Sequence, residues 1–376
     1  TNGTSTVFSL SAGATINCSI TGGESAFTTL LGYENAGQVA ISDQNITVDP
    51  GTTVNVDNAN LLNDTTSGTV TATIASSEVS ILKLLRGTNA YTITIAPGDA
   101  AVSASDLNAI NALTTEAVDL TNVSSITSSS LEDLGTLATA IGDSEFSNET
   151  GLTTIAVSDT TIDATTLAST IDSYDTINGI ATTGMTLASG ATINVDASEV
   201  PEMLADETAG RLTISDQQIT VTGAIAVSTA NDLDGITGGI VTASIATDST
   251  VDSLATLTGT NNAYTITIAA ADATGSTAAE LTAIDNATSV TVDVSAITSI
   301  EGTYEEITAL YGSSGVSGFG DESITITGGS LSVEEANAID LLTTGVVTAS
   351  IVTDSIVDSL ATLTGTNAYT ITIASG

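Results

Sequence analysis

The sequence Asn89-Ala-Tyr-Thr-Ile-Thr-Ile95 occurs again without change at positions 262–268 and 367–373. Apolar residues alternate with Thr in this heptapeptide, which is the two-residue period of a β-strand with one buried face. Tyr, Thr and Ile are also residue types that suit a pleated, half-buried surface. We therefore predict a strand at each of the three positions.

Longer stretches repeat around this heptapeptide. Residues 41–48, Ile-Ser-Asp-Gln-Asn-Ile-Thr-Val, return with one change 173 residues later. Residues 241–260 return with two changes at 347–366. Such self-similarity is typical of repeat architectures. The sequence therefore predicts two long copies and a truncated third copy that ends on a strand, at residues 1–178, 179–344 and 345–376.

Helical spacing fills the gaps between the strands. Leu254 and Leu257, for example, are three residues apart, which places them on one face of a short helix. Ser332 precedes another such segment as a predicted N-cap, with Glu335 in the capping-box position. The repeated module is then a strand, a turn, one or two helical turns and a second turn, with strand starts 22 to 34 residues apart.

A single module cannot bury its own apolar face, so neighbouring modules must supply the core. We therefore expect a β-rich repeat protein, a parallel β-solenoid with short helical turns, in which stacked strands form one wall. The alternative is a series of tandem β-sandwich domains, because short strands at regular spacing are typical of sandwiches as well. The helical segments between the strands favour the solenoid.

The charge balance excludes several classes of function. The chain has 44 acidic residues, no His, and only three cations, Lys83, Arg86 and Arg211, for a net charge of -41. Three cations cannot neutralise nucleic-acid phosphates or hold the chain on an anionic membrane. No stretch approaches 18 apolar residues, so we expect no membrane insertion.

We also expect no enzymatic activity. Without His, a Ser-His-Asp triad and zinc sites that use His are excluded. Adjacent carboxylates such as Glu305 and Glu306 diverge on a helix, so they cannot flank one scissile bond.

No cofactor is predicted, and the single cysteine, Cys18, excludes an internal disulfide. The nearest fragment of a calcium loop is Asp232-Leu-Asp234-Gly235, which has no downstream Glu in register. We interpret these carboxylates as solvated surface charge, which Ca²⁺ or other cations can screen.

Glycosylation is possible at seven Asn-X-Ser/Thr sequons. The chain has 21 Asn, and 113 of its 376 residues are Ser or Thr, so chance alone predicts about six sequons. The sequons therefore mark possible attachment sites without indicating selection for them. They are at Asn2, Asn17, Asn45, Asn63, Asn122, Asn148 and Asn286.

Lys83 and Arg86 are three residues apart in a helix-like segment, so they share one face. Two interpretations remain open. The pair is either an incidental exposed pair or a spot that docks an acidic patch of a neighbour.

Two stretches carry a resemblance to a known group of proteins. They are residues 358–373, Asp-Ser-Leu-Ala-Thr-Leu-Thr-Gly-Thr-Asn-Ala-Tyr-Thr-Ile-Thr-Ile, and residues 332–340, Ser-Val-Glu-Glu-Ala-Asn-Ala-Ile-Asp. They resemble repeats in large Thr/Ala/Asp-rich repetitive cell-surface proteins of cyanobacteria, a group that includes the giant surface protein associated with swimming. The resemblance covers residues 68–140 and 238–376. It implies an extracellular, repetitive structural protein and provides no catalytic residues.

The two ends of the chain suggest how such a protein assembles. The sequence opens within a repeat and closes on a strand, so both ends are expected to expose unpaired main-chain groups. We therefore expect an extracellular or cell-surface structural protein that forms a filament or surface layer with other copies of itself, head to tail. The residues expected to carry this contact are Phe8, Leu10, Tyr369, Ile371 and Ile373. The alternative is an adhesin or glycan-binding segment of a larger cell-surface protein.

Overall fold

The structure of the chain, a computed structural model, describes residues 8–9, 11, 15–18, 25–177, 184–269, 275–352 and 357–372. It is an α/β protein in which parallel strands alternate with helices. Every strand pair among the described residues is parallel, and these strands form open sheets without a closed barrel. Antiparallel sheets are the basis of β-sandwiches, so the parallel sheets argue against the sandwich alternative.

The strands are short, and most of them place alternate residues in the core. Their bounds are β1 Phe8–Ser9, β2 Thr15–Cys18, β3 Val39–Ala40, β4 Asn45–Val48, β5 Thr53–Val54, β6 Val70–Ile74, β7 Ala90–Thr92, β8 Ala101–Val102, β9 Val118–Asp119, β10 Ser125–Ser129, β11 Phe146–Ser147, β12 Thr154–Val157, β13 Thr161–Asp163, β14 Met185–Thr186, β15 Thr192–Asp196, β16 Leu212–Thr213, β17 Gln218–Ile225, β18 Val241–Ile245, β19 Ala263–Thr265, β20 Ser276–Thr277, β21 Val292–Asp293, β22 Ser299–Gly302, β23 Val316–Ser317, β24 Ser323–Leu331, β25 Val347–Ile351 and β26 Ala368–Ile371.

Most helices bury one apolar stripe, and many begin at a Ser, Thr or Asn whose side chain caps the first turn. Their bounds are α1 Ser25–Asn35, α2 Val56–Thr65, α3 Val79–Leu82, α4 Ala104–Asn111, α5 Leu131–Gly142, α6 Ala164–Thr176, α7 Val200–Thr208, α8 Val227–Ile236, α9 Val251–Leu254, α10 Ala278–Ala287, α11 Tyr304–Tyr311, α12 Val333–Asp340 and α13 Val357–Leu360.

Two predictions about the helices can be compared with these bounds. The capping box of Ser332 and Glu335 is confirmed at the start of α12. The expectation of one or two helical turns is wrong for α5, which has 12 residues. Its buried stripe runs from Leu131 to Ile141, and this length of apolar periodicity sustains three turns.

The described residues divide into two compact units. The first comprises those within Thr1–Thr160, Thr165–Ala188 and Asp206–Thr213. The second comprises those within Thr161–Ala164, Ser189–Ala205 and Ile214–Gly376, so it holds the described part of the third copy together with most of the second.

Each sheet lies within one unit. The first unit contains the order β2-β4-β6-β5, with β7 also pairing with β6, the order β16-β14-β12-β10-β8, and the pairs β1-β3 and β11-β9. The second unit contains the orders β13-β15-β17-β18-β19 and β20-β22-β24-β25-β26 and the pair β21-β23.

The register brings the repeated residues into line. Ala72 is opposite Tyr91, Ala243 is opposite Tyr264, and Ala349 is opposite Tyr369. The heptapeptide therefore forms a strand in all three copies, as predicted. A small residue faces an aromatic one at each pairing, which leaves room for the ring in the core.

Candidate assembly site

An asparagine on one helix holds the turn of the next module. The Asn231 side chain in α8 donates to the Thr256 carbonyl at 2.9 Å and accepts from the Thr258 N–H at 2.8 Å. Asn60 and Asn337 make the equivalent pair of bonds in the other two copies. A primary amide can satisfy a donor and an acceptor at once, so this residue ties consecutive modules together.

A second asparagine, the first residue of the heptapeptide, also ties consecutive modules together, here in the core. Asn262 is buried; it accepts from the Val241 N–H at 2.8 Å and donates to Asp234 at 2.8 Å. Asn89 and Asn367 accept equivalently from the N–H groups of Val70 and Val347. These bonds satisfy main-chain groups that would be costly to leave unpaired inside the protein.

The following module covers the tyrosine of the heptapeptide and hydrogen-bonds to its main chain. Tyr264 is fully buried, and its hydroxyl donates to the Ala230 carbonyl at 3.3 Å. Its N–H donates to the Thr288 hydroxyl at 2.9 Å, and its carbonyl accepts from the same hydroxyl at 2.8 Å. Thr114 closes over the buried Tyr91 in the same way. One threonine hydroxyl therefore serves as the strand partner of Tyr91 and another as that of Tyr264.

The third copy presents this arrangement at a sheet edge. β26 is the outermost strand of its sheet among the described residues. Its register on β25 matches that of β7 on β6 and β19 on β18. Tyr369 therefore directs its N–H and C=O to the side that a threonine fills in the other copies. Tyr369 is only half-buried, and Ile371 is 41% exposed, whereas the equivalent Ile93 is fully buried.

The residues expected at the assembly contact that the structure describes lie on two strands, one in each unit. Tyr369 and Ile371 share β26 in the second unit, and Phe8 pairs with Val39 in the first unit. Leu10 and Ile373 lie outside the described residues. Among the described residues β2 is the outermost strand of its own sheet, while its counterpart in the second copy, β15, is paired on that side with β13.

Burial shapes the electrostatics of the tyrosines. Desolvation raises the pKa of Tyr91 to about 12, with a smaller contribution from the charge of Asp64. Desolvation also raises the pKa values of Tyr264 and Tyr369, and the nearby charges of Asp234 and Asp340 act in the same direction. The phenols therefore remain neutral donors over a wide pH range.

The sequence pattern placed Thr on the polar face of strands, but five threonines, four of them buried and Thr237 half-buried, have another role. Each hydroxyl accepts from the N–H two residues further on and donates to a main-chain carbonyl of an earlier module. They are Thr66, Thr114, Thr237, Thr288 and Thr343. Gly follows two residues after Thr66, Thr237 and Thr343, and this recurrence is the sequence signal that could have identified those three.

Of the acidic residues considered as metal ligands, one makes hydrogen bonds within the protein and another is exposed. Asp234 accepts hydrogen bonds from Asn262 and Thr258, while Asp232 is exposed. The part of the chain that the structure describes has no group of three or more His, Cys, Asp or Glu placed to hold a metal ion. Glu306 and Glu335 complete capping boxes at α11 and α12.

The sequons fall in different environments. Asn286 is exposed on α10, and Asn148 is exposed with its amide donating to Asp119 at 2.8 Å. Asn45, Asn63 and Asn122 are half-buried and use their side chains in hydrogen bonds. Asn17 lies in β2, and Asn2 lies outside the described residues. A glycan is therefore accommodated most readily at Asn286.

Comparison with known proteins identifies no relative. No protein-family model, no curated protein and no solved structure matches the chain. Among the described residues, no helix has the length and apolar character needed to cross a lipid bilayer.

Proposed function

We propose that the modules stack as the rungs of a parallel solenoid and that the protein is an extracellular structural subunit. Copies of the chain join head to tail through their edge strands to form a filament or a surface layer. Short parallel strands, each bonded to a strand of the next module, support the solenoid. The Thr-rich repeats and the near-absence of cations support a role outside the cell.

One observation carries the assembly proposal: β26 offers the same backbone and side chains that the next module covers in the other copies. An exposed strand edge with apolar side chains is a template for another strand. β2 of the next copy can supply that strand, since β15, its counterpart, has a partner on the side where β2 is the edge. The contact joins different surfaces of two copies, so it propagates into a fibre if it does not close into a ring.

The test is a lysine on the edge strand. Ile371→Lys places a charge where an added strand would lie, a substitution that natural edge strands use to prevent pairing. Ile240→Lys is the matched control, because Ile240 is similarly exposed, at 44%, and precedes β18, a strand that is paired on both sides. We expect the unchanged chain and the control to form rods in electron micrographs and fast-sedimenting species. The Ile371→Lys variant should form no rods.

Two outcomes would overturn the proposal. The first is a monodisperse monomer of the unchanged chain at high concentration, and the second is rod formation that survives Ile371→Lys. A monomer that binds glycans would favour the adhesin alternative.

A further inference from the structure

Large apolar side chains lie exposed on the helical side of the first unit. Leu61 is exposed on α2 next to the buried Leu62, and Leu84, which is 59% exposed, follows the exposed Ile81 by one turn at α3. The Asn60 side chain donates to the Leu84 carbonyl at 2.8 Å, so the two helical segments are adjacent. Together with two cations they form what we call the basic-apolar patch: Leu61, Ile81, Lys83, Leu84 and Arg86.

The other two copies show that the fold does not need these five residues. The second copy has Asp232, Ser253, Ala255, Thr256 and Thr258 at the equivalent positions. The third copy has Ala338, Ser359, Ala361, Thr362 and Thr364. The asparagine bonds across the modules are the same in all three copies. The first copy has therefore gained apolar surface and positive charge on one exposed face, which indicates a binding surface.

The charge of the patch restricts its partner. Lys83 pairs with Asp106, and Arg86 pairs with Asp64 at 2.8 Å. The patch is thus locally neutral on a chain of net charge -41. An acidic partner is repelled elsewhere but can approach here. The Arg86 side chain is 64% exposed, and a guanidinium carries five N–H donors, so it can bind a carboxylate of the partner as well.

The third copy carries a surface that complements the patch. Leu341, directly after α12, is 85% exposed. Glu334 is exposed and lies seven residues earlier, two helical turns away and therefore on the same face. Asp64 and Gly235 occupy the position of Leu341 in the other two copies, and both are also exposed. The exposure of Leu341 therefore does not result from its place near a sheet edge. This face combines an apolar side chain with negative charge.

We propose that the basic-apolar patch binds the outer face of α12, with Leu341 and Glu334, of a second copy of the chain. The inference deepens the proposed structural role and rests on it for its biological meaning, although the contact is distinct from the edge strands. It joins different surfaces, so it can link filaments side by side into a layer. A contact of this size belongs to weak interfaces of less than about 1,200 Å², which many parallel contacts along a filament would reinforce.

The experiment uses chains that carry Ile371→Lys, so that edge-strand assembly is absent. Sedimentation velocity is measured from micromolar to millimolar concentration for three proteins: the Ile371→Lys parent, a patch variant and a helix variant. The patch variant has Ile81→Ser and Leu84→Thr, which are the residues of the second copy. The helix variant has Leu341→Asp, which is the residue of the first copy. Circular dichroism confirms that each protein keeps its fold.

We expect the parent to self-associate without forming rods. Each variant should associate more weakly by about tenfold or more, because central apolar side chains carry most of a contact's binding energy. An equimolar mixture of the two variants should regain association, since one intact patch can meet one intact helix face. A parent that stays monomeric throughout would overturn the inference, and so would variants that associate like the parent. Neither result affects the head-to-tail proposal, which is tested by whether rods form in the unchanged chain and are lost in Ile371→Lys. If the patch instead binds an acidic partner other than a second copy, all three proteins should remain monomeric, and this result would also overturn the inference.

Discussion

The buried asparagine of the heptapeptide is the residue whose loss should weaken the fold most directly. Asn262→Ala leaves the Val241 N–H inside the core without its partner at 2.8 Å. An orphaned buried donor costs about 1–3 kcal/mol, which lowers the melting temperature by roughly 2–4 °C per kcal/mol for units of this size. Asn367→Ala should cost less, because Asn367 is half-buried and water can replace it.

Thermal unfolding followed by circular dichroism measures both changes. Asn286→Ala is the control, because Asn286 is exposed on α10 and its loss should shift stability by no more than about 0.5 kcal/mol. Equal effects at Asn262 and Asn286 would contradict the role assigned to the buried amide.

The buried tyrosines should make the fold sensitive to alkaline pH. The pKa of Tyr91 is about 12 in the folded chain, above its ordinary value of 10.0, because burial disfavours the charged phenolate. The neutral phenol thus stabilises the fold fully below pH 10, and this contribution is lost as pH rises from 10 to 12. Melting temperatures measured across this range should fall.

Absorbance at 295 nm follows the ionisation itself, and part of the signal should appear only near pH 12. Tyr91→Phe removes one late-titrating group, so its melting temperature should depend less on pH in this range. A melting temperature of the unchanged chain that stays constant between pH 10 and 12 would contradict the prediction.

At the scale of the element, close contact between strands requires glycine after α8. A Cβ at Gly239 would lie 2.3 Å from the Gln217 carbonyl oxygen, and a main-chain atom of a paired segment cannot move aside easily. Gly239→Ala should therefore destabilise the second unit by about 1–3 kcal/mol. The control is Gly235→Ala within α8, where no atom lies within 4 Å and alanine should stabilise the helix by about 0.5–1 kcal/mol.

Urea unfolding of the two variants measures this difference, and similar stabilities would show that the strands tolerate the added methyl group. Gly68 and Gly345 make equally close approaches to the carbonyl oxygens of Gln44 and Glu322. The same substitution at these positions should reproduce the loss.

Local pattern predicted the elements better than it predicted their contacts. The heptapeptide strands and the capping box at Ser332 follow from alternation and residue type over a few positions. The closure of Thr288 over Tyr264 joins residues 24 positions apart, and it depends on the register between modules, which no short window contains. The exposure of Leu84 could not be predicted from the sequence either, because an apolar residue in a helical segment is usually in the core. Only the orientation of the segment at α3 exposes it.

At the scale of the whole molecule, assembly must overcome the charge of the chain. With 44 acidic residues and three cations, two copies repel each other over most of their surfaces. The contacts proposed above avoid this repulsion in two ways. The edge strand β26 adds main-chain hydrogen bonds and apolar side chains, and the basic-apolar patch is locally neutral. The remaining surface keeps copies apart in any other orientation, so the net charge favours these two contacts over others.

The same charge should make stability depend on ionic strength rather than on a particular cation. Screening shortens the reach of the repulsion from about 10 Å at 0.1 M salt to about 3 Å at 1 M. We expect the melting temperature of the Ile371→Lys variant, measured at low protein concentration where it is monomeric, to rise by several degrees as NaCl is increased over this range. CaCl₂ at equal ionic strength should have the same effect, because the described residues bring no three acidic side chains together at one point. Scanning calorimetry measures both series. A saturable rise at micromolar Ca²⁺ would contradict screening and would require a calcium site on this chain.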